Sequence, residues 1–156
     1  GTSPEQGSFA LTIFFSIGIF MTYIGGLLGD KYGPIKIIRL SLLVWLPAMF
    51  LLTEVPTFSP LIMMPVAYLL LLMIGAAKAI SYSPVIVLGQ TYLAKSIGFA
   101  SGITLGVSQT IGGVIAPVVG NLADTYSLPV AMMTLVPFLV MGLGASLLLK
   151  DPKKLQ

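Results

Sequence analysis

Five stretches of this sequence stay apolar for long enough to cross a lipid bilayer, and no other property restricts its fold so strongly. They run approximately from Phe9 to Gly29, Ile37 to Thr53, Leu61 to Tyr82 with a tail to Leu93, Gly98 to Leu122, and Pro129 to Leu149. At about 1.5 Å per residue, roughly 17 to 25 helical residues match a hydrocarbon core about 30 Å thick. Of the 156 residues, 56% are hydrophobic and 8% are charged, against about 25% charged in an ordinary soluble domain. A soluble domain of this size leaves about a third of its unfolded surface exposed, so one aqueous core cannot hide this much apolar surface. The pattern predicts an all-α membrane protein of five transmembrane helices.

The segments between the runs carry the charge. Ser3-Pro4-Glu5-Gln6 reads as a capping box with proline at the first helical position. The Glu54 to Pro60 segment, with two prolines, and Leu128-Pro129, a proline opening a span, mark short loops. If the five spans alternate, one side receives the N-terminus and the loops Glu54 to Pro60 and Asp124 to Ser127, with no lysine or arginine. The other side receives Lys31, Lys36, Arg39, Lys95, Lys150, Lys153 and Lys154, seven of the eight basic residues. The positive-inside rule then places the C-terminus in the cytoplasm and the N-terminus outside. An odd number of spans, an external start and a glycine at position 1 lead us to expect a C-terminal part of a longer protein.

The residue inventory argues against an enzyme. There is no cysteine and no histidine, which removes thiolate metal sites, the usual metal ligand and the usual general base. The acids Glu5, Asp30, Glu54, Asp124 and Asp151 stand at the edges of the apolar runs, too scattered for a carboxylate pair or a hard-metal cage. No cofactor and no metal are expected. The basic residues form loop clusters with no soluble fold to present them, so no nucleic-acid partner is expected either.

Between the first two spans stands Gly25-Gly26-Leu27-Leu28-Gly29-Asp30-Lys31-Tyr32-Gly33-Pro34-Ile35-Lys36. Glycine allows close helix approach and a tight turn, and the carboxylate can face the positive end of a neighbouring helix. Gly26, Leu28, Asp30, Lys31 and Gly33 match the loop G-x-L-x-D-R/K-x-G-R/K of the major facilitator superfamily, which this segment resembles. The basic residue after the second glycine is replaced by Pro34, with Lys36 two positions on. The order of spans and loops resembles helices eight to twelve of a twelve-helix facilitator. Ser83-Pro84 to Gln90, Gly98-Phe99-Ala100-Ser101-Gly102 and Gly120-Asn121-Leu122-Ala123-Asp124 are similar to the fosmidomycin resistance branch of drug efflux proteins.

Other residues divide into those suited to packing and those suited to a cavity. Gly98, Gly102 and Gly106, then Gly112, Ala116 and Gly120, place small residues every fourth position of the fourth span, and Gly18, Thr22 and Gly26 do so in the first. Such stripes let helices approach closely in lipid. The contact is either within this five-helix unit or, as the resemblance implies, with the remaining half of a transporter. Pro47, Pro117 and Pro137 can each kink a helix, and proline is also common in membrane helices.

Lys78 falls near the middle of the third span, where lysine disfavours insertion by about 2.5 to 3.5 kcal/mol. Tyr68, Leu71, Gly75, Lys78 and Tyr82 follow helical spacing, with Ser81 beside them. A buried lysine needs a counter-charge, and none of the five acids lies at its depth. A carboxylate from the remaining half, a water-filled cavity and an anionic substrate each answer that need, while a stem reaching to the interface is the bland alternative. The third span is expected to break around Pro84, leaving Gln90 near a cytoplasmic gate. Ser101, Thr104 and Ser108, with Gln109, form a polar stripe that either lines a cavity or bonds back to its own helix.

The resemblance implies transport of a small solute by alternating access around a midplane site. For this branch it implies proton-coupled drug efflux across the bacterial inner membrane. The partners expected are the lipid bilayer, a small and possibly anionic substrate, and an N-terminal half of the same transporter. The alternative is a small, non-transporting membrane scaffold that binds a partner through its glycine stripes.

Overall fold

A computed structural model describes residues 4–55 and 60–149. Ser3 of the expected capping box, Pro56 in the loop after Glu54, and the tail residues Lys150, Asp151, Lys153 and Lys154 lie outside the described residues. The chain forms helices α1 (Pro4–Tyr32), α2 (Pro34–Glu54), α3 (Pro60–Tyr92), α4 (Ile97–Thr125), α5 (Leu128–Met133) and α6 (Val136–Leu148), with a 3-10 turn at Ala94–Ser96. Among the described residues there is no strand. Five helical segments are long and apolar enough to cross a membrane, the last being α5 and α6 together. This is an all-α, multi-pass membrane protein.

The expected loop between the first two spans is reduced to one residue. The Gly33 N–H still donates to Gly29 O at 2.9 Å, as the last bond of a helix would. Its φ of +95° then turns the chain out of the helix, the only positive φ among the described residues. That conformation favours glycine, which has no Cβ to clash. Pro34 follows at the start of α2, where its fixed φ suits a helix and its missing N–H would have no partner anyway. The proline that departs from the family pattern is therefore what allows one helix to end and the next to begin within a residue.

Two expectations about proline are corrected. The third span does not break at Pro84: α3 runs unbroken through Pro65 and Pro84 to Tyr92. Proline deprives the Ile80 carbonyl of its usual i+4 donor, and α1 closes over that spot. A Cβ on Gly25 would collide with the Ile80 carbonyl oxygen, and one on Gly29 would stand 3.1 Å from the Pro84 ring. The fully buried Pro84 thus packs against the glycine face of α1. The fifth span, expected to be continuous, is interrupted at Thr134 and Leu135. Pro137 opens α6, and its ring and absent N–H exclude an ordinary turn back to Met133. The Leu135 N–H donates instead to Met132 O, three residues back.

Helix α3 is the centre of the bundle. It packs on α1, α2 and α4, while α2 also meets α5 and α6 on the far side. Ala48, Met49, Val55, Leu70 and Ile74 form one buried cluster along the α2–α3 seam, and Ile35, Ile38 and Leu88 a second one. Helices α1 and α4 flank α3 without touching each other among the described residues. A third of the most apolar stretch of α2 is buried (33%) but none of that of α4 (0%), so α4 is the outlying helix.

Arg39 ties the outer helices together. Its Nε and Nη2 donate to Ser146 O at 3.0 and 2.8 Å, and Nη2 reaches Leu147 O and Leu149 O at 3.3 and 3.4 Å. The last carbonyls of a helix have no intrahelical donors and form its negative pole, so a guanidinium fork supplies both hydrogen bonds and charge. The sequence reading had used Arg39 only as a marker of orientation. Arg39→Ala is expected to destabilise the full-length protein by about 1 to 3 kcal/mol, with Arg39→Lys intermediate, as read from thermal unfolding in detergent. Equal stability of all three proteins would refute this capping role.

Candidate functional site

Lys78 lies at the middle of α3, about 27 Å along the helix from Pro60 and about 21 Å from Tyr92 at a rise of 1.5 Å per residue. A four-carbon stem reaches neither end. Within this chain the Lys78 side chain is exposed. The cause is the separation of α1 and α4, which leaves the intervening face of α3 uncovered. Its ammonium stands 5.8 Å from the centroid of the Phe14 ring on α1, within range of a cation–π contact.

Toward α4, Lys78 opens onto a cleft of about 390 Å³. Its walls include Lys78, Ser81 and Tyr82 from α3 and Thr104, Ser108 and Gln109 from α4. Ser81, Ser108 and Gln109 therefore share a cavity with Lys78 and Tyr82, whereas Tyr68 does not line it. Ten residues from Lys78, Tyr68 is about 15 Å away along the helix axis, too far along it to reach the cleft. Gly112, named in the sequence only as a packing residue, also lines the cleft. Ser81 Oγ donates to Lys78 O at 2.9 Å and Ser108 Oγ to Thr104 O at 2.5 Å.

The polar stripe of α4 has two uses along its length. Near the end of α3, Gln90 Nε2 donates to Ser101 Oγ at 2.8 Å. Thr104 sits against Gly89, where a Cβ would come within 2.7 Å of its hydroxyl oxygen. These contacts fasten α4 to α3 beside the turn that carries Lys95. Further along, the two helices diverge and the remaining polar side chains face the cleft. Sequence reasoning placed Gln90 at a gate; the described contact is an interhelical tie.

The glycine stripes differ in what they meet. Gly26 faces Ser83, where a Cβ would stand 3.2 Å from Oγ, while a Cβ at Gly18 would meet nothing within 4 Å. The closest approach in α1 uses Gly25, which the four-residue stripe did not include. In α4, Gly98, Gly102, Gly106, Gly112 and Gly120 all have open space where a Cβ would be. Ala116 is exposed on the same helix. Of the two contacts the stripe allowed, the one within this unit is not made by these glycines among the described residues. In the loop motif, Leu28 is half-buried, and Asp30 and Lys31 are exposed. Lys31 Nζ lies 5.2 Å from the Tyr32 ring centroid.

Phe14 is the site residue that sequence reasoning missed. It belongs to a different span from Lys78, and no spacing rule links residues on separate helices. The available signal was Gly75, one turn before Lys78, which leaves room for an aromatic ring from elsewhere. A Cβ there would lie 2.9 Å from the Phe14 ring.

The fold and site define a multi-pass membrane protein with a cation and polar side chains facing a cleft beside the middle of α3. Over 151 residues, 97% of the chain, the sequence is 31% identical to an uncharacterized MFS-type transporter, YfnC, of Bacillus subtilis (strain 168). The chain spans 35% of that relative's length. No family model and no solved structure matches the chain.

Proposed function

We propose that residues 1–156 are the C-terminal transmembrane half, less its first helix, of a major facilitator transporter that moves a small solute by alternating access. The observation that carries this reading is Lys78: an exposed cation at mid-membrane, facing a polar cleft between α3 and α4. Lipid is an expensive neighbour for such a group. A solute pathway supplies water and anions instead. Similarity to an MFS-type transporter along 97% of the chain supports the same reading. Lys31, Lys36, Arg39 and Lys95 stand at the connections on one end of the bundle, which supports a cytoplasmic C-terminus in a bacterial inner membrane.

The specific activity we propose is proton-coupled efflux of an anionic drug of the fosmidomycin type. Asp30, Glu54 and Asp124 stand at the last residues of their spans, away from the level of Lys78, so the proton carrier either belongs to another part of the transporter or the coupling is of another kind. The test is flux of a radiolabelled phosphonate by the full-length protein in liposomes under an imposed proton gradient. Uphill flux that an uncoupler abolishes is the expected result. A second reading, a non-transporting scaffold, rests on the open glycine face of α4. It requires no flux, together with loss of a copurifying partner when Gly102 and Gly106 are both changed to leucine.

A further inference from the structure

Lys78 borders a second cleft as well as the polar one. Between α1 and α3 lies a cavity of about 330 Å³ whose walls include Phe14, Phe15, Ile19 and Ala79, with Lys78 and Tyr82 common to both cavities. Phe14 and Phe15 meet edge to face, with centroids 5.6 Å apart and an interplanar angle of 88°. Each cavity falls within the range of about 300 to 1,000 Å³ typical of small-molecule sites. The first mixes hydroxyl and amide groups with the aliphatic side chains of Val85, Ile86 and Leu105, the second is walled chiefly by aromatic and aliphatic groups, and Lys78 borders both.

From this juxtaposition we infer that the solute is an amphipathic organic anion, with its charged group at Lys78 and an aromatic or branched apolar body against Phe14 and Phe15. This rests on the reading of Lys78 as a solute site and replaces the small hydrophilic phosphonate named above with an anion that carries an apolar body. The charge follows from an exposed cation with no acid of the chain at its depth. The apolar body follows from the second cleft. A small hydrophilic anion would fill the polar side and leave the aromatic walls unmatched, whereas an aryl group there removes apolar surface from water. Gly75 sets the width of this side by letting the Phe14 ring lie against α3.

Two probes with the same head group and different bodies test the inference: phenylphosphonate and methylphosphonate, titrated into the full-length protein in lipid nanodiscs. The unaltered protein is expected to prefer phenylphosphonate on the order of tenfold. Phe14→Ala is expected to cut that preference to about twofold or less. Because Phe14 also packs on the α2–α3 core, Phe15→Ala serves as the second variant; Phe15 is 65% exposed and its loss leaves that core intact. Equal affinity for the two probes in the unaltered protein would overturn the inference, the result expected if a helix from the rest of the protein fills the aromatic cleft. So would an unchanged preference in both variants. Lys78→Gln should weaken both probes. If neither probe binds, or Lys78→Gln alters neither affinity, the solute-site reading itself falls and takes this inference with it.

Discussion

Changing Gly25 to valine in the full-length protein is expected to lower its melting temperature in detergent by roughly 10 °C, corresponding to about 3 kcal/mol. The size of the effect comes from what the new side chain would meet. A Cβ at this position collides with the Ile80 carbonyl oxygen and lies 2.7 Å from the Ile80 carbonyl carbon and Cα. Backbone in the middle of a helix cannot rotate aside as a flexible side chain can, so α1 must lift away from α3. Helix propensity alone favours the change by a few tenths of a kcal/mol, too little to reverse the sign. Gly142→Ala is the control, since a Cβ there meets nothing within 4 Å. It is expected to be neutral or stabilising by up to about 1 kcal/mol. Equal melting temperatures for the Gly25→Val and unaltered proteins would show that α1 does not lie backbone to backbone on α3.

The number, type and approximate limits of the spans were legible because lipid imposes one rule on every segment: a long apolar helix. Relations between segments were less so. The sequence marks Gly33 as a turn residue, yet that Pro34 compresses the loop to one residue emerges from the fold. Pro84 looks like a helix breaker in isolation, and the helix survives because Gly25 and Gly29 on another span fit against it. Arg39 counts as one positive charge in an orientation rule, and nothing local announces that it caps a helix more than 100 residues later.

The candidate site divides along the same line. Lys78, Ser81 and Tyr82 are close on one helix, and their grouping follows from a 3.6-residue repeat. Ser108 and Gln109 joined them by residue type, as polar groups on an apolar helix. Phe14 and the second cleft depend on which helix packs beside α3, information that no single helix contains. Tyr68 lies about 15 Å along the axis from Lys78, a separation that a spacing pattern does not register, and it lines neither cleft.

Loss of transport without loss of protein is the result expected for Lys78→Ala in the full-length transporter. Flux of the transported anion should fall by at least about a hundredfold, the order expected when a desolvated charge–charge contact of about 3 kcal/mol is removed. Membrane insertion runs the other way. Lysine at the centre of a span opposes insertion by about 2.5 to 3.5 kcal/mol, and alanine does not. The variant should therefore reach the membrane at an undiminished or higher level. The contact of the Lys78 ammonium with the Phe14 ring is a weak one at 5.8 Å. Lys78→Arg keeps the charge and should retain a measurable fraction of the flux, because a guanidinium can still meet an anion in the cleft, although with different geometry. Flux and membrane level are measured on the same vesicles, by tracer uptake and by quantitative blotting. Normal flux in Lys78→Ala would remove Lys78 from the transport pathway. A parallel fall in both quantities would assign it to assembly of the bundle, leaving the polar cleft without the cation that gives it a function.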